Sequence, residues 1–213
     1  MTTNDLIARL TGELKPVSRT AVIQRVATGL GIGLAGSTVL MLALLGLRPD
    51  LSTAATTMPF WVKFAYTLAL AIAGAWAVKR MAHPLGSIRV NLALMAGAIA
   101  VIGFLAFAQL AMTPRDQYMD MIRGQTIKVC AFNIVMLSLP LLIGALWVLR
   151  GLAPTRLTVA GTAAGLASGA ISAFVYAFHC NESTMPFIAI WYTLGVLCTG
   201  LIGAIVGRFA LRW

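Results

Sequence analysis

The stretch AFHCNESTMPFIAIWY, residues 177–192, sets an imidazole, a thiol and a carboxylate within four positions: His179, Cys180 and Glu182. Glu182 is the only acidic residue after Asp120, and His179 is one of only two histidines. Beside apolar runs such groups cost free energy unless they sit in water or hold a partner. A second thiol, Cys130, lies two residues from Lys128; the third, Cys198, stands between Leu197 and Thr199 and reads as a small apolar filler. Thiolate, imidazole and carboxylate donors suit zinc or a comparable soft-to-borderline ion. Two thiols at one depth in an oxidising compartment can instead join as a disulfide. Cys130, His179, Cys180 and Glu182 are therefore the candidate metal or disulfide site. Spacing alone leaves open a metal site, a disulfide that is static or redox-active, and two unconnected thiols.

The elements that must position these groups follow from composition. Of 213 residues 60% are hydrophobic and 10% charged, against roughly a quarter charged in soluble domains. Six apolar stretches, 26–47, 60–78, 90–112, 127–149, 157–178 and 187–207, reach the about 20 residues that span a bilayer as a helix. Backbone amides in lipid must be satisfied within their own segment, so the spans are helices. The expected fold is all-α, one polytopic integral membrane domain of six transmembrane helices over 26–213, with a separate segment at 1–25. Asp5 and Glu13 in that segment, and the length of the first apolar run, argue against a cleaved signal peptide.

With both termini inside, eleven Lys and Arg residues fall on inner segments and five on outer ones. This is the bias that sets orientation. The inner excess, together with anionic lipid, accounts for the +10 net charge, so no direct nucleic-acid binding is expected. In this arrangement His179, Cys180 and Glu182 occupy the outer loop between spans five and six, and Cys130 comes to the same side. Lys63 and Lys128 lie close enough to the outer surface to snorkel.

In residues 1–25, Asn4 can cap a helix whose Leu6, Ile7, Leu10 and Leu14 form one stripe, ended by Pro16. The stripe fits either the inner leaflet or a protein partner, and its acidic residues favour the partner. The segment MTPRDQYMDMIRGQT reads as a short outer helix capped by Thr113, with Pro114 first, Asp116 closing a capping box and Gly124 stopping it. Met58, Met112, Met119, Met121 and Met185 raise a copper(I) thioether site as a minor alternative to apolar packing. Gly161, Gly165 and Gly169, with Gly203 and Gly207, form small-residue faces for close intramolecular helix packing, a homodimer being the lesser reading. TMPF occurs at 57–60 and 184–187, each time where a span enters from outside.

Among function classes, a metal or solute transporter would need a polar path, and only Asn91, Gln109 and Asn133 offer one. A thiol oxidoreductase would want paired Cys-x-x-Cys motifs, and no phosphate-binding or nucleophile motif marks an enzyme.

The run LRGLAPTRLTVAGTAAGLASGAISAFVYAFHCNESTMPFIAIWYTLG resembles the signature of the bacterial negative regulator of sigma-F family, six-span membrane anti-sigma factors. The resemblance rests on Arg150, Ala153, Pro154, Gly161, Gly165, Gly169, Tyr176, His179, Cys180, Glu182, Trp191, Tyr192 and Gly195. Cys130 and the opening NDLIARLTGELKPVSR match as well. It implies an inner-membrane regulator, with no catalytic residues and no constitutive cofactor, that holds an extracytoplasmic-function sigma factor inactive through its cytoplasmic parts. It also implies release when a periplasmic metal or oxidant acts on the cysteine pair. Leu6, Ile7, Leu10 and Leu14 would then be the sigma-binding stripe.

Overall fold

The computed structural model describes residues 3–12, 20–83 and 86–212. Among these residues the regular structure is entirely helical. Six helices are long and apolar enough to cross a bilayer: α2 (Ala21–Leu44), α4 (Met58–Met81), α5 (Arg89–Ala111), α7 (Cys130–Arg150), α8 (Leu157–Tyr176) and α9 (Met185–Ala210). Three short helices complete the set: α1 (Thr3–Gly12), α3 (Leu51–Ala54) and α6 (Tyr118–Arg123).

Hydropathy marks where hydrocarbon is needed, whereas helix ends are set by backbone chemistry. So α2 begins five residues before the expected apolar edge and ends before Leu45. There the amides of Leu45 and Gly46 both bond to the Met41 carbonyl, and Gly46 takes φ +73°, a left-handed stop that glycine adopts without a Cβ penalty. Both TMPF segments become helix starts, with Pro59 and Pro186 in the first turn, where a missing N–H costs nothing. The outer helix of the third loop is shorter than expected. Pro114 precedes a 3-10 turn at Arg115–Gln117, and the Thr113 hydroxyl donates back to Gln109 O (2.8 Å) instead of capping.

The centre of the bundle is α8, most of whose residues are buried. It packs most extensively on α9, then on α4 and α7. A Cβ on Gly165 would strike Thr199 O and lie 2.9 Å from Gly200 Cα; one on Gly161 would lie 2.8 Å from Gly207 Cα. The small-residue faces of α8 and α9 therefore meet each other within one chain. A similar contact joins α2 to α7, where a Cβ on Gly33 would come 2.8 Å from Leu141 Cα. A π-helical turn at Ile188–Tyr192 interrupts α9 near its start, and such bulges re-aim side chains at functional positions.

The N-terminal helix is present as α1, beginning at Thr3 and so taking Asn4 into the helix. Ile7 is exposed. The side chains of Leu6 and Leu10, and all of Leu14 and Pro16, lie outside the described residues.

Candidate functional site

The link between α8 and α9 is a plug fastened from several sides. The amides of His179 and Cys180 both bond to Tyr176 O at 3.0 Å, closing off α8. Arg48 N then donates to Phe178 O (3.1 Å), and Arg48 Nη1 to Cys180 O (3.3 Å). From α4, Lys63 Nζ donates to Cys180 O (2.7 Å) and to Glu182 O (2.9 Å). Gln109 Oε1 at the end of α5 accepts from Met185 N (2.8 Å). Thr184 Oγ1 donates to Met121 O (2.9 Å) and Trp191 Nε1 to Ile122 O (2.8 Å), both on α6.

Beneath this plug the two distant cysteines come together. Cys130 opens α7 with no exposed surface, and Cys180 is 2% exposed. Their side chains face each other closely enough to interact, and both are free thiols. Tyr176 and Tyr192, both buried, close the sides. Tyr176 lies beside Asn133, one turn along α7 from Cys130. The Tyr192 hydroxyl lies beside the Cys180 thiol without a well-formed hydrogen bond. The neighbouring Cys130 thiol, and behind it the Lys63 charge, hold the Cys180 thiol below its ordinary pKa against the opposing effect of burial. This is the electropositive setting in which thiols become reactive.

The other two sequence-selected donors turn away. His179 Nδ1 is 3.0 Å from Gly46 O, its ring 5.6 Å from that of Tyr176. Glu182 Oε1 accepts from Gln125 N (2.6 Å), Thr126 N (3.1 Å) and Thr126 Oγ1 (3.3 Å). Among the described residues no three His, Cys, Asp or Glu side chains are gathered to hold a metal. Once α8 has ended, residues 179, 180 and 182 lie in a turn and the irregular link after it, each engaged with a different partner, so closeness in sequence is not convergence in space. The thiols form a pair; the imidazole and carboxylate brace the loop. Of the methionines, Met185 is buried, while Met58, Met112 and Met119 are exposed.

Sequence reasoning overlooked Lys63. Far from snorkelling, it has no exposed surface, because it sits on the α4 face turned toward the plug. Its signal was a lone cation near the start of an apolar run, but hydropathy does not say which face a residue occupies. Arg48 was overlooked too: it is 5% exposed and paired with Asp50 at 2.7 Å.

A family model described as negative regulator of sigma F matches residues 10–213. The chain belongs to the negative regulator of sigma F family. It is 42% identical over 217 aligned positions, covering all of both chains, to the anti-sigma-F factor NrsF of Caulobacter vibrioides (strain NA1000 / CB15N). It is 39% identical over 215 positions, again end to end, to the probable anti-sigma-F factor NrsF of Azospira oryzae (strain ATCC BAA-33 / DSM 13638 / PS). No solved structure matches the chain.

In this member of the negative regulator of sigma F family, one glycine holds the brace in place. Gly124 ends α6 at φ +52°, and a Cβ there would lie 2.7 Å from Glu182 Cδ, Glu182 Oε2 and Phe187 Cδ2. Gly124→Ala is therefore expected to displace the 125–126 amides from the Glu182 carboxylate. Hydrogen bonds to a charged group are worth about 1.5–3 kcal/mol, so alkylation of Cys180 by iodoacetamide should speed up by about tenfold or more. Unchanged labelling in the folded variant would show that Glu182 does not restrain the plug.

Proposed function

We propose that this chain is a multi-pass inner-membrane anti-sigma factor, a regulator rather than an enzyme. It holds an extracytoplasmic-function sigma factor through the 1–25 segment and releases it when Cys130 and Cys180 meet an oxidant or a soft metal ion. The reading rests on the family and on one observation: two cysteines 50 positions apart are buried side by side under a braced loop. They lie near Gly46, at the end of α2 remote from α1. The 24 residues of α2 separate the two ends by about 36 Å, so a change at the thiols needs a whole-bundle response to reach the partner. The lysine and arginine distribution supports placing the thiol end in the periplasm and both termini in the cytoplasm.

Two thiols suit a disulfide or a soft ion, whereas His179 and Glu182 would have to leave their present partners to complete a four-donor zinc site. The polar groups that a transporter would use are engaged locally. Asn91 Nδ2 donates to Ala73 O (3.1 Å), Gln109 accepts from Met185 N, and Asn133 lies against Tyr176. This supports regulation over transport.

The test uses membranes carrying the full chain with its bound sigma factor. Diamide, or cadmium as a soft-metal probe, is added, and sigma factor is measured in the soluble fraction. Release that dithiothreitol reverses is expected with diamide. Sigma factor retained at complete thiol oxidation and at saturating cadmium would overturn the trigger. Failure to sediment with reduced membranes would overturn the anti-sigma reading itself.

A further inference from the structure

We propose that Lys63 is the positioning residue of the thiol pair. Its ammonium, sealed under the 179–184 loop, holds Cys180 against Cys130 and supplies the positive charge beside which the pair is oxidised. The inference deepens the sensor reading and rests on it for its biological role, though the geometry is independent of it.

Lys63 is fully buried in α4. Two of its three N–H groups reach carbonyls that flank the Cys180 side chain, its own at 2.7 Å and that of Glu182 at 2.9 Å. The Cys180 carbonyl thus accepts from both Lys63 and Arg48, which fixes the peptide from which the thiol projects. A buried ammonium is costly unless it is paired or fully hydrogen-bonded. The nearby carboxylates are committed elsewhere: Asp50 to Arg48, and Glu182 to Gln125 and Thr126. Arg48 and Asp50 form an ion pair of their own. The charge of Lys63 therefore bears on the two thiols, both within its electrostatic reach.

Disulfide formation needs one sulfur to attack as an anion. With diamide as oxidant, Cys180 sulfur adds to the N=N bond, and Cys130 sulfur then displaces the hydrazine. One S–S bond forms, two S–H bonds break, and the reduced diamide carries away both protons and both electrons. A fixed cation beside Cys180 favours the attacking anion, and the two carbonyl contacts keep the Cys180 sulfur in line with that of Cys130.

The experiment measures the rate of Cys130–Cys180 disulfide formation by diamide in purified full-length protein, with Cys198→Ala as background, each rate being divided by the opening frequency of the 179–184 loop read from amide hydrogen exchange. Lys63→Met, which keeps the stem and removes the charge, should slow it by about tenfold or more. Lys63→Arg, which keeps a cation and its donors, should restore most of the rate. A purely structural role would leave Arg no better than Met. Should Lys63→Met fail to give monodisperse protein in detergent, Lys63→Gln decides in its place, with the same slowing expected. A folded Met or Gln variant oxidising at the parental rate overturns the proposal, and so does an Arg variant as slow as Met. The assay contains no sigma factor, so failure here and failure of the release experiment strike different claims.

Discussion

Cys130→Ser or Cys180→Ser alone should keep the sigma factor on the membrane under oxidant that empties the parent. A serine hydroxyl fills nearly the same buried space, so the plug and bundle stay folded, yet it forms no disulfide and is a poor ligand for soft ions. The size of the effect follows from the coupling requirement. Driving a bundle from one percent released to ninety-nine percent takes about 5.5 kcal/mol of preference for one state. A covalent S–S bond or a dithiolate–metal contact supplies this; the remaining hydroxyl–thiol hydrogen bond, worth about 1 kcal/mol, does not. Release should fall to the untreated level in either variant. Cys198→Ser should respond like the parent, because Cys198 sits mid-way along α9, apart from the pair. The readout is soluble sigma factor after diamide. A double serine variant that still releases fully would reduce the pair to a packing feature.

Leu10→Asp is the second large effect, in the opposite sense: sigma factor should be lost from the membrane without any stimulus. Leu6, Ile7, Leu10 and Leu14 share a helical stripe by spacing, and α1 supplies the helix for the first three. Ile7 on it is exposed in the free chain, as a residue awaiting a partner would be. Burying one such leucine is worth roughly 1.5–3 kcal/mol, and an aspartate there adds an unpaired charge. The combined loss, about 3 kcal/mol or more, weakens binding by about a hundredfold. Co-purification should disappear and the regulon should be expressed constitutively. Arg9→Ala, beside the stripe, should change little. Undiminished co-purification with Leu10→Asp would move the binding surface to another cytoplasmic segment.

The six spans were legible because lipid imposes one rule on every residue of a crossing helix, and Leu-, Ala- and Val-rich runs obey it. The repeated Thr-Met-Pro-Phe segments were legible as helix starts for a similarly local reason, since proline is tolerated in the first turn. The Gly161, Gly165 and Gly169 face could be read as a close contact, though α9 as its partner needed the packing. The site was only half legible. That Cys130 and Cys180 come to the same end of the bundle follows from alternating span direction, whereas their meeting needed the packing. The turn of His179 toward Gly46 and of Glu182 toward Gln125 and Thr126 does not, because it depends on where α8 stops and on the left-handed Gly124. Lys63 is the clearest case. Whether a cation near a span's end faces headgroups or protein depends on helix rotation, which 24 residues of nearly uniform hydrophobicity leave unmarked.

On the proposed thiol trigger, the plug over the pair would also give release a time constant. Reagent reaches Cys180 only while the 179–184 loop is open, and opening must break its contacts to Arg48, Lys63, Gln109, α6 and the 125–126 amides together. Local openings of this kind are rare and cooperative. At low dose the response then grows with both concentration and duration, and at high dose it saturates at the opening rate. A brief pulse finishes before most plugs have opened once, while a sustained exposure of the same intensity finds nearly all of them. Under that trigger the bundle would act as a low-pass filter, releasing sigma factor only for exposures that persist.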